Sequence, residues 1–558
     1  MRAKSFKILA LLLLAALTLS SCAKLPTVSD VRVGSDIQSE LSTDYLYYSP
    51  SDPLEGAGQQ AILEGFLNAA TGPQNDYEVA RKFLSEDLRS KWNPSAELLV
   101  GDARPVVNLS ELNDASVTFK AAARVDELGR YQQYVPAITR VMKFEFVEEN
   151  DEWRISKAPN TTVLVRPVFE VLFKNYSLFF YDNQERYLVP ETRWFATRVA
   201  TSTKLVSALL GGPESWLANA VQSSFPRGTK LALDSVLVQD GVAIVDLDAS
   251  ANSTTISQRQ RMLVQLTATL TQLQNVSSVQ IRIEGVPQSI ANLPYQVSLA
   301  NNPDPIVLTK EGFRQLSTDA MPMTRATEAA LAWGAFDFGI NNQQTLLALS
   351  GPKGIGITRL VGAKEAPVAI DARAGLLAPE IDPQGYVWTL GASSDSALLA
   401  FNSSGEQRFS TLGWLGQGER LAFSVSREGG RIAFLLRFED SVRIYVAAVV
   451  RDENGVPVSL ATPIRVGASE RPVSSISWIG DTTIATIAES PGSPNYPLYL
   501  QIGGQSKRLS PVAGATSIVS NGLSSAAYSL DSKQELRLLR SLTWINIAKD
   551  ILAIHFAG

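Results

Sequence analysis

The C-terminal half of the chain repeats one small unit, a cluster of turn-forming residues followed at once by a short apolar run. Units of this kind read Gly339-Ile-Asn-Asn-Gln-Gln-Thr-Leu-Leu-Ala-Leu, Asp382-Pro-Gln-Gly-Tyr-Val-Trp-Thr-Leu, Ser426-Arg-Glu-Gly-Gly-Arg-Ile-Ala-Phe-Leu, Trp478-Ile-Gly-Asp-Thr-Thr-Ile-Ala-Thr-Ile and Ser520-Asn-Gly-Leu-Ser-Ser-Ala-Ala-Tyr-Ser-Leu. Their starts lie roughly 40–52 residues apart, the period of four-stranded propeller blades. Residues 305–558 are therefore expected to form an all-β propeller of five or six blades. No Trp-Asp signature marks the units, and an irregular β-sandwich is the competing architecture. Within this region Gly351-Pro-Lys-Gly-Ile-Gly356 is glycine-rich, yet it lacks the Gly-Lys-Ser/Thr ending and the strand-to-helix setting of a phosphate loop, so it reads as a turn between strands.

The rarest side chains exclude the most chemistry. The 558 residues hold one cysteine, Cys22, and one histidine, His555. A disulfide framework needs two cysteines and a His/Cys zinc site usually four ligands, so neither is expected. A histidine-assisted nucleophile would have to use a residue four positions from the C-terminus. Neither a catalytic residue nor a cofactor-binding or metal-binding one is assigned. Asp246 and Asp248 share a strand face and could hold a divalent cation, but a solvated strand end explains them as well. The acidic pairs Glu148-Glu149 and Asp151-Glu152 read as the charge of a hairpin turn. With 50 Lys plus Arg against 55 Asp plus Glu, the chain is mildly acidic at −5 and has no nucleic-acid footprint.

Residues 1–21 read as a signal segment. Arg2, Lys4 and Lys7 precede an apolar run from Ile8 to Leu19, and Ser20-Ser21-Cys22 follows. Twelve helical residues reach roughly 18 Å, short of a hydrocarbon layer of about 30 Å. Leu19-Ser20-Ser21-Cys22 resembles the bacterial lipobox, in which the cysteine sulfur is acylated and becomes the mature N-terminus. The resemblance implies two or three acyl chains on Cys22, enough for a stable membrane anchor. Residues 22–56, rich in Ser, Asp, Pro and Gly, read as the lipidated tether. Elsewhere the chain has no run of 18 apolar residues, so the folded parts are expected on the extracytoplasmic face of the cell membrane.

Residues 57–198 are expected to form an α+β domain. Ile62, Leu63, Phe66, Leu67 and Ala70 fall at helical spacing, as do Val79, Phe83, Leu84 and Leu88, and strand-like stretches follow at 116–125, 139–147 and 153–157. Helices followed by a meander are similar to the cone of nuclear-transport-factor-2-like folds. Tyr176, Phe179, Phe180, Tyr181, Trp194 and Phe195 suit core packing or an inter-domain contact; they are also the best candidates for a protein-facing patch. Residues 199–298 give the order αββαβ: a helix with Leu205, Val206, Leu209 and Leu210 on one face, a strand at 231–238, the turn Gln239-Asp240-Gly241, a strand at 242–247, a helix with Met262, Leu263, Leu266, Leu270 and Leu273, and a strand alternating Val279, Ile281 and Ile283. With its Leu-Leu-Gly-Gly-Pro, Phe-Pro-Arg-Gly-Thr and Ile-Glu-Gly-Val-Pro segments, this stretch resembles the GerMN domain, an interaction module of bacterial envelope lipoproteins.

Lipobox, helix-led domain, GerMN domain and propeller, in that order, resemble the actinobacterial LpqB lipoprotein family. Ile62-Leu-Glu-Gly-Phe-Leu-Asn-Ala-Ala, Tyr77-Glu-Val-Ala-Arg-Lys-Phe-Leu and Lys91-Trp-Asn-Pro carry the N-terminal part of the likeness. The resemblance implies an accessory, not an enzyme, that binds the extracytoplasmic domain of an MtrB-like sensor histidine kinase and affects envelope homeostasis and division. Capture of a cell-wall fragment or lipid, through the propeller channel or the N-terminal cone, is the alternative.

Overall fold

The computed structural model describes residues 50–557 apart from 74–75, 111–112, 198–199, 295–303, 317–321, 468–470, 491 and 521–526. Leu19, Ser20, Ser21 and Cys22 lie outside the described residues. Pro50–Gly558 forms one compact unit, and no described helix is long and apolar enough to cross a membrane.

The N-terminal domain opens with helix α1 (Gln59–Ala69), which buries Ile62, Leu63, Phe66 and Ala69, one face of a 3.6-residue period. The expected second helix is two single turns, α2 (Glu78–Arg81) and α3 (Glu86–Arg89). The interruption has a cause. Ser85 N donates to Ile155 O and Ile155 N to Phe83 O, both at 2.9 Å, so residues 83–85 join a sheet edge where a helix would have continued. Ser85 then caps α3, its hydroxyl accepting from Leu88 N. The sheet comprises β1 (Glu97–Gly101), β2 (Val106–Leu109), β3 (Asp114–Asp126), β4 (Tyr131–Glu149), β5 (Glu152–Lys157) and β6 (Thr162–Val165) in the order β5-β4-β3-β1-β6, with β2 also on β3. Asn150 and Asp151 both take positive φ, 53° and 63°, as the two-residue turn between β4 and β5 requires. Helix α4 (Arg166–Leu172) closes the domain.

The GerMN-like region begins with a hairpin, β7 (Phe173–Asp182) and β8 (Leu188–Ala196), to which β9 (Val221–Gln222) adds. The sequence groups this hairpin with the preceding domain, but it packs forward, on α5 (Thr201–Leu210) and α6 (Ile256–Leu270). Gln265 of α6, fully buried, donates to Phe179 O at 2.8 Å and accepts from Ser224 N at 2.7 Å. A second sheet runs β10 (Leu237–Gln239), β11 (Val242–Leu247), β12 (Ser278–Ile283), β13 (Val286–Pro287), with β11 and β12 parallel as a helical crossover demands. The strand expected over 231–238 narrows to Leu237–Gln239, because the Val236 amide donates to Thr203 Oγ1 and leaves the ladder.

Six small antiparallel sheets follow among the described residues. Hairpin β14 (Ile306–Thr309) and β15 (Gly312–Gln315) precedes helix α7 (Thr324–Trp333). Five sheets of four or five strands come next: β16–β19 from Asp337 to Asp371, β20–β23 from Glu380 to Thr411, β24–β28 from Glu419 to Val466, β29–β32 from Pro472 to Arg508 and β33–β36 from Ala515 to Ala548. The last strand, β37 (Ala553–His555), returns to pair with β14 and completes a three-stranded sheet. The first strands of neighbouring sheets touch, so the sheets stand radially, as in a propeller.

One turn recurs. The side-chain oxygen of Asn402 accepts from the amides of Ser404 and Glu406, that of Asp452 from Asn454 and Val456, and that of Asp531 from Lys533 and Glu535. In each case the fourth residue, Gly405, Gly455 or Gln534, has positive φ. This is an Asx turn closed by a left-handed residue.

Candidate functional site

Two joints hold the chemistry that the fold does not spend inside single domains. The first lies where the β7–β8 hairpin meets the propeller. Arg431, fully buried, donates from Nε to Glu428 (2.7 Å), from Nη1 to Pro190 O (3.3 Å) and from Nη2 to Asp481 O (2.6 Å), with its guanidinium 4.7 Å from the Trp478 ring centroid. Arg451 pairs with the buried Asp382 at 2.5 Å, and its own carbonyl accepts from Asn183 of the hairpin. Arg193 meets Glu191 and Glu214, and its burial, which outweighs the nearby Glu214 carboxylate, drops its pKa to about 10. Trp194 joins three domains: its ring packs 5.0 Å from Phe169 and 5.7 Å from Tyr131, its amide donates to Gly129 O, and its indole N–H donates to Gly503 O at 2.8 Å. The hairpin thereby covers the turns at 428–431, 452–455, 481 and 503, all at one end of the third and fourth multi-stranded sheets.

The second joint is the ring closure. His555 Nε2 lies 2.9 Å from Asp337 Oδ1 on β16 (Asp337–Ile340), and the imidazole meets Phe338 edge-on at 4.8 Å. Glu380, on β20 (Glu380–Ile381), completes the group. Burial pushes its carboxyl up to about 7; the charge of His555 and hydrogen bonds from Ser424 and the Val425 amide oppose this, and Asp337 adds to it. Burial alone would lower His555, but the hydrogen bond and charge of Asp337, with the charge of Glu380, leave its pKa raised. The Ser424 hydroxyl beside this group is bonded to Glu380.

The residues singled out in the sequence have structural partners. Asp246 accepts from Gly285 N and Asp248 from Ser250 N, each fixing a turn. Among the described residues no three His, Cys, Asp or Glu side chains are grouped to hold a metal. Glu149 accepts from the α3 amide of Glu86, and Glu152 from Gly56 N. Gly351 and Gly354 face each other across the turn between β17 (Leu346–Gly351) and β18 (Gly354–Arg359). A Cβ at Gly351 or Gly356 would come 2.6 Å from the Trp333 ring, so glycine lets α7 lie on the sheet. Phe179, Phe180, Tyr181, Trp194 and Phe195 are buried and so form no exposed patch: Phe179 and Tyr181 pack on α6 within the GerMN-like region, and Trp194 makes the inter-domain contact. The group of Asp337, Glu380 and His555 was missed because Asp337 and His555 are 218 residues apart. Its one sequence sign was a lone histidine in the final apolar run.

The chain is thus a modular protein in which a GerMN domain locks a helix-led α+β domain to a propeller. Family models match in the same order: "Lipoprotein LpqB, N-terminal domain" over 52–170, "Sporulation and spore germination" over 177–289 and "Lipoprotein LpqB beta-propeller domain" over 346–551. Lipoprotein LpqB of Streptomyces avermitilis is 23% identical, with 97% of each chain covered. That of Cutibacterium acnes is 22% identical, with 86% of each covered. The chain belongs to the LpqB lipoprotein family. Among solved structures, the first GerMN domain of the sporulation protein GerM from Bacillus subtilis is 25% identical, covering 23% of this chain and 97% of its own at a TM-score of 0.18. The β-propeller domain of the Trilobed protease from Pyrococcus furiosus is 10% identical, covering 38% and 70% at a TM-score of 0.25.

Proposed function

We propose that the protein is an extracytoplasmic accessory of a two-component system, anchored to the cell membrane through acylated Cys22 and docked on the extracytoplasmic domain of an MtrB-like sensor histidine kinase. The observation that carries this reading is the lone cysteine closing a lipobox ahead of three LpqB-type domains. Non-enzymatic action is supported by the spent state of the candidate acids, each of which fixes a turn or a helix end. Anchoring confines the protein and the kinase to one surface, which raises their effective concentration and lets a modest interface be occupied. Differential affinity for two kinase states then shifts the signalling equilibrium.

The test is the affinity of residues 50–558 for the kinase's extracytoplasmic domain, together with signalling by full-length Cys22→Ser in cells lacking the wild-type gene. Saturable micromolar binding and lost signalling are expected. Absence of binding, or full complementation by the unanchored form, overturns the proposal. Removing residues 305–558 is no clean control, because the GerMN core continues into Ala433, Leu435, Val446 and Trp478.

A further inference from the structure

We infer that the Asp337–His555 pair is a proton-operated clasp on the propeller ring, made while His555 carries its proton and loosened when the proton is lost. The closing strand is short, since β37 pairs with β14 over three positions only, Ile306 with His555, Val307 with Ile554 and Leu308 with Ala553. Those pairs tie the two ends of a domain of some 250 residues, and Ala553 and Ile554 carry the strand's apolar side chains into two separate clusters. His555 reaches out of this sheet by a polar contact, across to β16 of the next. The clasp is reachable by solvent, with side-chain exposures of 25% for His555 and 32% for Asp337.

The titratable groups facing the imidazole are Asp337 and Glu380, on two successive inner strands. Its remaining neighbours are the Phe338 ring and, across the pairing, Ile306. The signs of the two titrations agree. A histidine raised in the folded state gives stability that is full below its unfolded pKa and lost as pH rises through the folded one. A carboxyl raised by burial keeps its proton when the unfolded chain has released its own, so it too favours closure on the acid side and opposes it above about 7. Rising pH therefore weakens the joint twice over, by charging Glu380 and by discharging His555.

The experiment is amide exchange at Ala553, Ile554 and His555 in residues 50–558 between pH 5.5 and 9, corrected for intrinsic exchange and run where reclosing outpaces exchange. Opening should grow with pH, by up to about tenfold per unit where one proton is released, while Ala243 and Val245 of β11 show no such slope. His555→Gln should flatten the slope. Glu380→Gln should reduce opening above pH 7 and keep the histidine's share, which separates titration from a folding defect. A flat slope in the wild type, an unchanged slope in His555→Gln, or the same slope at β11 overturns the clasp.

Discussion

Trp194 and His555 mark two joints built on different plans. At the first, buried side chains donate to backbone carbonyls of another domain, Trp194 to Gly503 and Arg431 to Pro190. At the second, a three-residue strand is held by a half-exposed pair of titratable groups. Carbonyl oxygens do not titrate, and a desolvated donor has no water to fall back on, so these bonds are independent of pH and costly to open. Opening the second draws Ala553 and Ile554 out of two apolar clusters, so the titratable pair adjusts that opening and does not alone decide it. Domain arrangement and ring closure are thus assigned to separate devices, and the GerMN hairpin is set to stay seated while the ring ends respond to the surroundings.

The contrast is tested most severely at its rigid side. Trp194→Ala removes a buried ring from the Phe169–Tyr131 cluster and a hydrogen bond to the propeller, and should cost about 3–5 kcal/mol. Denaturant unfolding of residues 50–558 should then show the N-terminal domain melting ahead of the remainder. A single transition within 1 kcal/mol or so of wild type would mean that the three domains are not joined through this side chain.

Arg451→Met comes next. Asp382 is fully buried and loses its charge partner but keeps the Trp388 indole N–H and the Tyr386 amide, so about 3 kcal/mol is expected, the low end for stranding a buried charge. Adding Asp382→Asn should recover part of the loss. If the double variant is no better than the single one, the loss lies in packing beneath Asn183 and not in charge.

A smaller effect, at the contact between the first and second four-stranded sheets of the propeller, has the opposite sign of pH dependence to the ring closure. Burial would raise Asp371, but hydrogen bonds from Arg373 and Thr389 outweigh it and hold the carboxyl below its usual value. Its contribution is present above the unfolded pKa and disappears as pH falls through the folded one, the reverse of His555 and Glu380. Asp371→Asn should cost about 1.5–3 kcal/mol at pH 7, shrinking below pH 4, as read by thermal melting across that range. A cost that grows on acidification would reverse the assignment.

Legibility in the sequence followed locality. The helix at 59–69, the strands from 114 to 157, the αββαβ order and the turn units of the propeller all rest on spacing within some twenty residues, and the structure places them close to those positions. Periodicity over Val79–Leu88 gave a helix that tertiary pairing with Ile155 divides. The apolar run of β7 and β8 carried no sign of which neighbour it would cover, because burial on both faces reads alike whether the partner lies before or after it. Arg431, Arg451 and Asp382 looked like ordinary surface charges, and Asp337 with His555 is a contact across the ring. Conversely, the spacing Asp/Asn-x-x-Gly was readable at 382, 402 and 452, and each occurrence is a strand-to-strand turn.

That motif supplies the mildest prediction and one that bears on where the first joint draws its strength. Asp382 and Asn402 begin the same kind of turn, but only Asp382 lies under the GerMN hairpin and faces an arginine. Asn402→Ala removes the acceptor for the amides of Ser404 and Glu406 at a half-exposed site where water replaces it, so about 0.5–1.5 kcal/mol should be lost, evenly between pH 5 and 9 because no charge is involved. Asn402→Asp, able to accept the same amides, should melt near the wild type. If Asn402→Ala instead matched Arg451→Met, the turns themselves would hold the propeller, and the charges buried beneath the hairpin would serve only to orient it.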